Sequence, residues 1–260
     1  MARVAVITGA ASGIGKATKH LLESRGERVI GVDLRGTDIN VDLTTAQGRQ
    51  VMIDQVTELS GGTIDSIYAV AGLATPIPAT IGVNYFGALA TLEGLRPLLL
   101  GSTSPRAIAV ASMASLQPVD EELMAALASG DETAALARAD VLSKEPQTTG
   151  GMIYSSSKRG LAQWIRRNAP TSEWAGSNIP LNAVAPGVIA TPMTTQYTST
   201  EEARAAILEI VPMPLNGIAD AEVVARLLAW LGSEENTHLC GQVIFVDGGS
   251  DAVIRGDSTW

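Results

Sequence analysis

The segment VITGAASGIGKAT, residues 6–18, decides the fold of this 260-residue chain. An apolar run typical of a buried strand leads into it, and apolar residues at helical spacing follow it. Between the two stand Gly9, Gly13 and Gly15. Glycines at such a turn let the backbone approach a pyrophosphate, whose charge is favoured at the N-terminus of the next helix. The segment therefore favours a strand–loop–helix unit that binds a dinucleotide, and the alternative is a plain strand–helix turn.

The next apolar run ends in an acid, Asp33, within VIGVDLRG at residues 29–36. A carboxylate after the second strand of such a unit accepts hydrogen bonds from the hydroxyls of the adenosine ribose. It also repels a 2′-phosphate, which favours NAD and makes NADP the less favoured coenzyme. Arg35 lies close enough in sequence to weaken that preference. The alternative is that Asp33 is a turn residue before Gly36.

Apolar and amphipathic runs alternate along the chain, which predicts an α/β fold with helices on both faces of a parallel sheet. No repeat or linker interrupts the pattern, so residues 1–260 are interpreted as one domain. Thr44 is the predicted N-cap of the second helix. The predicted strands are 3–7, 28–33, 39–42, 64–69, 106–111, 181–185 and 243–246, and the helices 13–25, 44–59, 83–98, 153–168 and 221–231.

Composition excludes several classes of function. The formal net charge is −9 and there is no run of Lys or Arg, so we expect no binding of nucleic acid or anionic membranes. Cys240 is the single cysteine, and His20 and His238 are isolated from other ligand-type residues, so no metal site is predicted. With no signal peptide and no membrane span in the sequence, we expect a cytoplasmic protein.

A second short segment, GMIYSSSK at residues 151–158, sets Tyr154 and Lys158 four positions apart. On a helix, both side chains leave the same face, one turn apart. A pair of this kind also occurs by chance on exposed helices, so the segment needs support from the rest of the chain.

That support comes from the order of several motifs. G-x-x-x-G-x-G at Gly9–Gly15 and Y-x-x-x-K at Tyr154–Lys158 together resemble the short-chain dehydrogenase/reductase family. VNYFG (83–87), VASMAS (110–115) and NAVAPGVIATPM (182–193) follow in the order that the family has. The resemblance covers nearly the whole chain. It implies a Rossmann-type, doubly wound parallel sheet of about seven strands and nicotinamide-dependent oxidation of alcohols or reduction of carbonyls.

The resemblance implies four catalytic residues. Tyr154 would exchange a proton with the oxygen at the reacting carbon, and Ser112 would donate a hydrogen bond to that oxygen. The ammonium of Lys158 would lower the pKa of Tyr154 from its ordinary value near 10 and bind the nicotinamide ribose. Asn84 would hold a water that links Lys158 to solvent.

The resemblance also implies the residues that bind the coenzyme. AVAG, residues 69–72, stands where many members have N-N-A-G, so contacts from those two asparagines are missing or replaced. The implied coenzyme-binding residues are Gly9, Ser12, Gly13, Ile14, Gly15, Asp33, Leu34, Asp42, Leu43, Ala71, Gly72, Tyr154, Lys158, Pro186, Gly187, Ile189 and Thr191.

More residues than usual separate Ser112 from Tyr154, and the added part, about 117–150, predicts two helices at 121–128 and 131–143. With this insertion, the chain resembles one branch of the family, the bacterial 3α-hydroxysteroid dehydrogenases/carbonyl reductases. The branch implies a homodimer, because the insertion covers the helices that other members use to form tetramers. The alternative is that the insertion is only a surface ornament.

Residues 191–216 resemble the family's lid over the substrate, with Ser112, Tyr154, Met193 and Tyr197 as predicted substrate contacts. The apolar lid favours a hydrophobic secondary alcohol or ketone such as a steroid, although burial in the core also explains its apolar residues. Two other hypotheses remain open: an aryl-alcohol dehydrogenase similar to coniferyl-alcohol dehydrogenase, and a catalytically silent protein that senses dinucleotides.

Overall fold

A computed structural model describes residues 2–258 of the chain. The domain predicted for residues 1–260 includes Met1, Thr259 and Trp260, which lie outside the described residues. The strands are β1 Val4–Thr8, β2 Arg28–Asp33, β3 Ile39–Asn40, β4 Ser66–Ala69, β5 Arg106–Val110, β6 Leu181–Pro186, β7 Ile189–Ala190, β8 Ala219–Asp220 and β9 Val243–Val246.

Seven of these strands form one sheet in the order β3-β2-β1-β4-β5-β6-β9, and every neighbouring pair is parallel. β7 and β8 form a separate two-stranded parallel pair. The central strands are buried on both faces, which explains why their sequences are continuous apolar runs. The predicted seven-stranded Rossmann-type sheet is therefore confirmed.

Helices cover both faces of the sheet. One buried cluster joins the sheet to α2, α4 and α7, and a second joins it to α1 and α10. The helices are α1 Gly13–Ser24, α2 Ala46–Ser60, α3 Pro78–Ile81, α4 Ala88–Leu99, α5 Glu121–Ser129, α6 Glu132–Ser143, α7 Gly151–Asn168, α8 Thr195–Thr198, α9 Glu201–Ile210, α10 Ala221–Leu231 and α11 Ser250–Arg255.

Two local predictions were wrong. Thr45, not Thr44, is the N-cap of α2, and its hydroxyl accepts a hydrogen bond of 3.0 Å from the Gly48 amide. Thr44 instead donates its hydroxyl to the carboxylate of Asp42. The helix predicted from residue 83 begins with a π-helical segment, Gly82–Gly87, before α4. The choice between the two adjacent threonines is made locally, because the Asp42 carboxylate binds Thr44 and leaves Thr45 to cap the helix.

The insertion between β5 and α7 contains α5 and α6, as predicted. Gly130 has φ +74 and ends α5, and the carboxylates of Asp120 and Asp131 cap the two helices. The insertion packs on α7 and on the π segment. The hydroxyl of Tyr85, in the π segment, donates 2.7 Å to the carbonyl of Leu127 in α5. Across residues 2–258, none of the helices combines the length and apolar character that crossing a bilayer requires.

The carboxyl ends of the strands meet along one edge of the sheet. The strand order reverses between β1 and β4, and such a switch point opens a crevice at this edge. Thr8, Asp33, Ala69, Val110 and Pro186 end the five strands from β1 to β6 that border it. A ligand of dinucleotide length can therefore lie across several strand ends at once.

Candidate active site

A cleft of about 440 Å³ lies at this edge. Every residue that the sequence predicts for coenzyme binding lines the cleft, together with Ser112 and Met193. Nine further residues line it that were not predicted. They are Val41, Thr44, Val70, Leu73, Val83, Val110, Ala111, Pro192 and Thr194.

The glycine-rich loop forms the floor of the cleft. Gly9 has φ +73, and a Cβ atom there would lie 2.9 Å from the backbone of Ala71. A Cβ atom on Gly15 would lie only 2.1 Å from the carbonyl oxygen of Gly9. Ser12 is the N-cap residue of α1, and its side chain makes no capping bond. The loop thus presents backbone and a free hydroxyl at the N-terminus of a helix, which fits a pyrophosphate.

Asp33 fixes a negative charge at the rim of the cleft. Its two carboxylate oxygens accept hydrogen bonds from the amides of Ala11, at 3.0 Å, and Leu34, at 2.7 Å. Each oxygen retains a lone pair for a further donor. Arg35 is exposed and does not line the cleft.

The proton-transfer residues meet on the other side of the loop. Ser112 follows β5, and its hydroxyl caps a 3₁₀ turn by accepting 3.1 Å from the Ala114 amide. Tyr154 and Lys158 lie one turn apart on α7 and face the same cleft. The Lys158 ammonium donates 2.8 Å to the carbonyl of Val110, at the end of β5. The bond anchors α7 to the sheet.

The net direction of the Tyr154 pKa shift differs from the expected lowering. Burial raises the pKa of Tyr154, and the hydroxyl of Ser112 lowers it by a smaller amount. Burial also lowers the pKa of Lys158 to about 8. Removal from water therefore has the largest effect on the pKa of the Tyr154 phenol, and it favours the protonated form.

Asn84 lies in the π segment and is buried. Its amide nitrogen donates to the carbonyl of Leu73, at 2.9 Å, and to the hydroxyl of Ser157, at 3.0 Å. Its oxygen accepts 2.8 Å from the Leu73 amide. Asn84 thus clamps the loop after β4 to α7, and its water-holding role stays a prediction.

The two predicted lid contacts differ in position. Met193 lines the cleft, whereas Tyr197 is 42% exposed and lies outside its walls. Beneath the predicted lid lies a small buried cluster of Met113, Val188, Val211 and Met213. α9 has no buried residue, so most of the predicted lid lies on the surface.

The nine further residues were not predicted because their place in the fold, and not the chemistry of their side chains, brings them to the cleft. Val41 and Thr44 flank the predicted Asp42 and Leu43, so their position next to predicted residues could have indicated them. Val83 likewise lies next to a predicted residue, Asn84. In residues 2–258, no group of three or more His, Cys, Asp or Glu side chains is arranged to hold a metal ion.

Comparison with known proteins adds independent findings. Residues 3–125 match the family described as short chain dehydrogenase, and residues 121–251 match the one described as Enoyl-(Acyl carrier protein) reductase. The chain is 32% identical to a 3-alpha-hydroxysteroid dehydrogenase/carbonyl reductase of Comamonas testosteroni, over 97% of this chain and 98% of that protein. It is 28% identical to a coniferyl-alcohol dehydrogenase of a Pseudomonas species, over 94% of both chains.

A solved structure is similar throughout. The 3-alpha-hydroxysteroid dehydrogenase from Pseudomonas sp. B-0831, complexed with NADH, superposes with a TM-score of 0.87 at 35% identity. The match covers 98% of this chain and 99% of that one.

Proposed function

This chain belongs to the short-chain dehydrogenase/reductase family and is an oxidoreductase acting on CH–OH groups with a nicotinamide dinucleotide, and we propose that it interconverts hydrophobic secondary alcohols and ketones with NAD(H). Its proposed substrates are 3α-hydroxysteroids and related carbonyl compounds. The observation that carries the proposal is the convergence of Ser112, Tyr154 and Lys158 on a cleft that also contains the glycine-rich loop and Asp33.

Each residue has a defined part in the proposed reaction. The bound nicotinamide supplies or accepts the hydride at the reacting carbon. Ser112 holds the substrate oxygen by a hydrogen bond, and Tyr154 gives that oxygen a proton in reduction or takes one in oxidation. Lys158, held by the Val110 carbonyl, sets a positive charge beside the phenol when it is protonated. The clamp by Asn84 keeps α7 in register with the cleft.

The preference for NAD over NADP rests on Asp33. Its carboxylate, bound to two backbone amides at the cleft rim, is oriented to accept the ribose hydroxyls. A 2′-phosphate there would meet a negative charge, while no arginine of residues 2–258 lines the cleft to compensate.

Support for a hydroxysteroid comes from the two relatives that carry that name and from the apolar side chains of Ile189 and Met193 in the cleft wall. The similar coniferyl-alcohol dehydrogenase supports a second candidate, the oxidation of an aryl alcohol. The two candidates differ in the width of the apolar substrate that the lid must cover.

We also propose that the protein is a homodimer that pairs through β9 and α10. β9 bonds to β6 on one side, and within residues 2–258 its other edge has no strand partner. The neighbouring α10 exposes Val223 by 36% and Trp230 by 40%. A second copy covers both the strand edge and these apolar side chains. Light scattering should give twice the 27.0 kDa of the chain, and a tetramer mass would contradict this arrangement.

A coupled screen tests the function. A 3α-hydroxysteroid and a cinnamyl alcohol are each offered with NAD and with NADP, and the reduced nicotinamide is followed by absorbance. We expect turnover of the steroid with NAD. Turnover of the cinnamyl alcohol alone would establish the aryl-alcohol candidate instead. Binding of NADH without turnover of either alcohol or its carbonyl would support the sensor hypothesis and contradict the proposal.

A further inference from the structure

Arg49, on α2, connects the wall of the cleft with the helical insertion. Its side chain is only 10% exposed. The guanidinium donates to the carbonyl of Leu43, at 2.9 Å, and to the carbonyl of Thr44, at 3.1 Å. It also forms a two-point pair with the carboxylate of Glu132, one bond of which is 2.8 Å from Nη1 to Oε2. One side chain therefore binds two backbone carbonyls of the cleft wall and one carboxylate of the insertion.

Leu43 and Thr44, whose carbonyls bind Arg49, have little room to move. A Cβ atom on Gly82 would lie 3.3 Å from Cα of Thr44, and one on Gly87 would lie 3.3 Å from the carbonyl oxygen of Leu43. The segment thus lies between the π turn and the guanidinium. A shift of Arg49 changes the position of Leu43 and Thr44 in the cleft wall.

Glu132 supplies the compensating charge for this buried arginine. It is the single carboxylate within 4.0 Å of the Arg49 guanidinium among residues 2–258. Breaking a mostly buried pair leaves a charge without its partner, and the guanidinium then moves toward other acceptors or water. The geometry that Arg49 imposes on the two carbonyls therefore depends on Glu132.

The strand order assigns this segment to one half of the ligand. Leu43 and Thr44 follow β3, at the far end of the sheet from β5 and the Ser112 hydroxyl. The glycine-rich loop after β1 lies between them. In a dinucleotide site of this order, the half over β2 and β3 is the adenosine.

We propose that Glu132 is a positioning residue for the coenzyme: acting through Arg49, the insertion sets the affinity of the cleft for the adenosine half of NAD(H). The inference rests on the proposed NAD(H)-binding role of the cleft. It gives α6 a role in the reaction although no residue of α6 lines the cleft.

The test compares Glu132→Gln with wild type in NADH titrations and in inhibition by 5′-AMP, which has only the adenosine half. We expect Glu132→Gln to raise the Kd of NADH and the inhibition constant of 5′-AMP by the same factor, about three- to tenfold. The kcat at saturating coenzyme should change by less than about twofold, because neither residue of the pair lines the cleft or bonds to Ser112, Tyr154 or Lys158. The matched control is Glu121→Gln, an exposed acid in the first turn of α5.

A double-mutant cycle tests the route of the effect. Arg49→Lys keeps a positive charge but loses the planar fork that binds the carboxylate at two points. In that background, Glu132→Gln should raise the Kd of NADH by clearly less than it does in wild type. Effects that multiply independently would show that Glu132 does not act through Arg49 and would overturn the inference.

The other outcomes are also decisive. A lower melting temperature with unchanged constants for NADH and 5′-AMP would assign the pair a purely structural role and refute the inference. A weaker Kd for NADH with unchanged inhibition by 5′-AMP would place the effect elsewhere and refute it too. A wild-type protein that binds no NADH would instead overturn the proposed function, and the inference with it.

Discussion

The Lys158 ammonium lies 5.8 Å from the centroid of the Tyr154 ring. The nitrogen lies over the ring while it donates to the carbonyl of Val110. The charge is therefore positioned by the end of a strand, and burial of the phenol has the larger effect on its pKa. The resulting balance predicts how the two directions of the reaction respond to pH.

Oxidation and reduction should differ in their pH dependence. Burial raises the pKa of Tyr154, so the phenolate that oxidation needs becomes available only as pH rises into the alkaline range. We expect kcat/KM for alcohol oxidation to increase between about pH 6 and 10, while that for ketone reduction stays nearly constant because the phenol remains protonated. A substrate deuterated at the carbinol carbon checks that chemistry limits the rate. A flat oxidation profile with a full isotope effect would contradict the assignment of Tyr154.

Removing the phenolic hydroxyl should separate catalysis from binding. Tyr154→Phe is expected to lower kcat about 10³-fold, because no other group then transfers the proton. The Kd of NADH should change by less than about twofold, since the ring remains in place. Stopped-flow turnover and fluorescence titration measure the two quantities. Activity equal to wild type in this variant would show that another residue moves the proton.

The charge of Asp33 should set the choice of coenzyme. Asp33→Asn is expected to weaken NAD binding about tenfold and to strengthen NADP binding, because a charged acceptor is lost and a repulsion removed. The matched control, Asp38→Asn, removes a nearby charge from a residue that does not line the cleft. An unchanged ratio of NAD to NADP affinities would refute the role given to Asp33.

Gly72 is expected to tolerate no side chain. A Cβ atom there would lie 3.1 Å from Oδ1 of Asn84 and 3.5 Å from Nζ of Lys158. Gly72→Ala should lower kcat about tenfold by displacing these groups a few tenths of an ångström. Gly151→Ala is the control, because its Cβ atom meets nothing within 4 Å. Steady-state rates of both variants, with unfolding curves beside them, make the comparison. Equal kcat values in the two variants would show that the contact at Gly72 is harmless.

Glu27 should make stability depend on pH. Burial raises the pKa of Glu27 above its ordinary value of 4.5, with Arg3 opposing the change. A raised folded-state pKa contributes stability that is present below about pH 4.5 and is lost as pH rises through the folded value. Glu27→Gln has no carboxylate to titrate and therefore does not lose this stability as pH rises. The variant should therefore gain stability relative to wild type as pH increases from 4.5 to 7.

Urea denaturation at these two pH values measures the difference in free energy of unfolding. The control is Glu58→Gln, an exposed acid at the end of α2. A constant difference between Glu27→Gln and wild type would mean that Glu27 does not titrate between the two pH values.

The parts of the site that were predictable from sequence are those with local causes. Gly9 and Gly15 are required where a strand turns into a helix, and their spacing alone indicates that turn. The sign of the pKa shift of Tyr154 was wrong because burial depends on how α7 packs in the fold, which the spacing of Tyr154 and Lys158 does not contain. Likewise, the pair between Arg49 and Glu132 joins residues 83 positions apart, and no local pattern links them.

The exposure of α9 affects how the sequence of the protein can diverge in evolution. Seven of its ten residues are exposed, so exchanging those seven leaves the core intact, whereas Ile207 and Leu208 pack against the buried cluster beneath the helix. On the proposed role of residues 191–216 as the lid, natural variation in α9 can alter which alcohols are accepted one surface residue at a time. Lys158, buried on α7, has no such freedom. Diversification of substrate range and retention of the chemistry are thus assigned to separate parts of one chain.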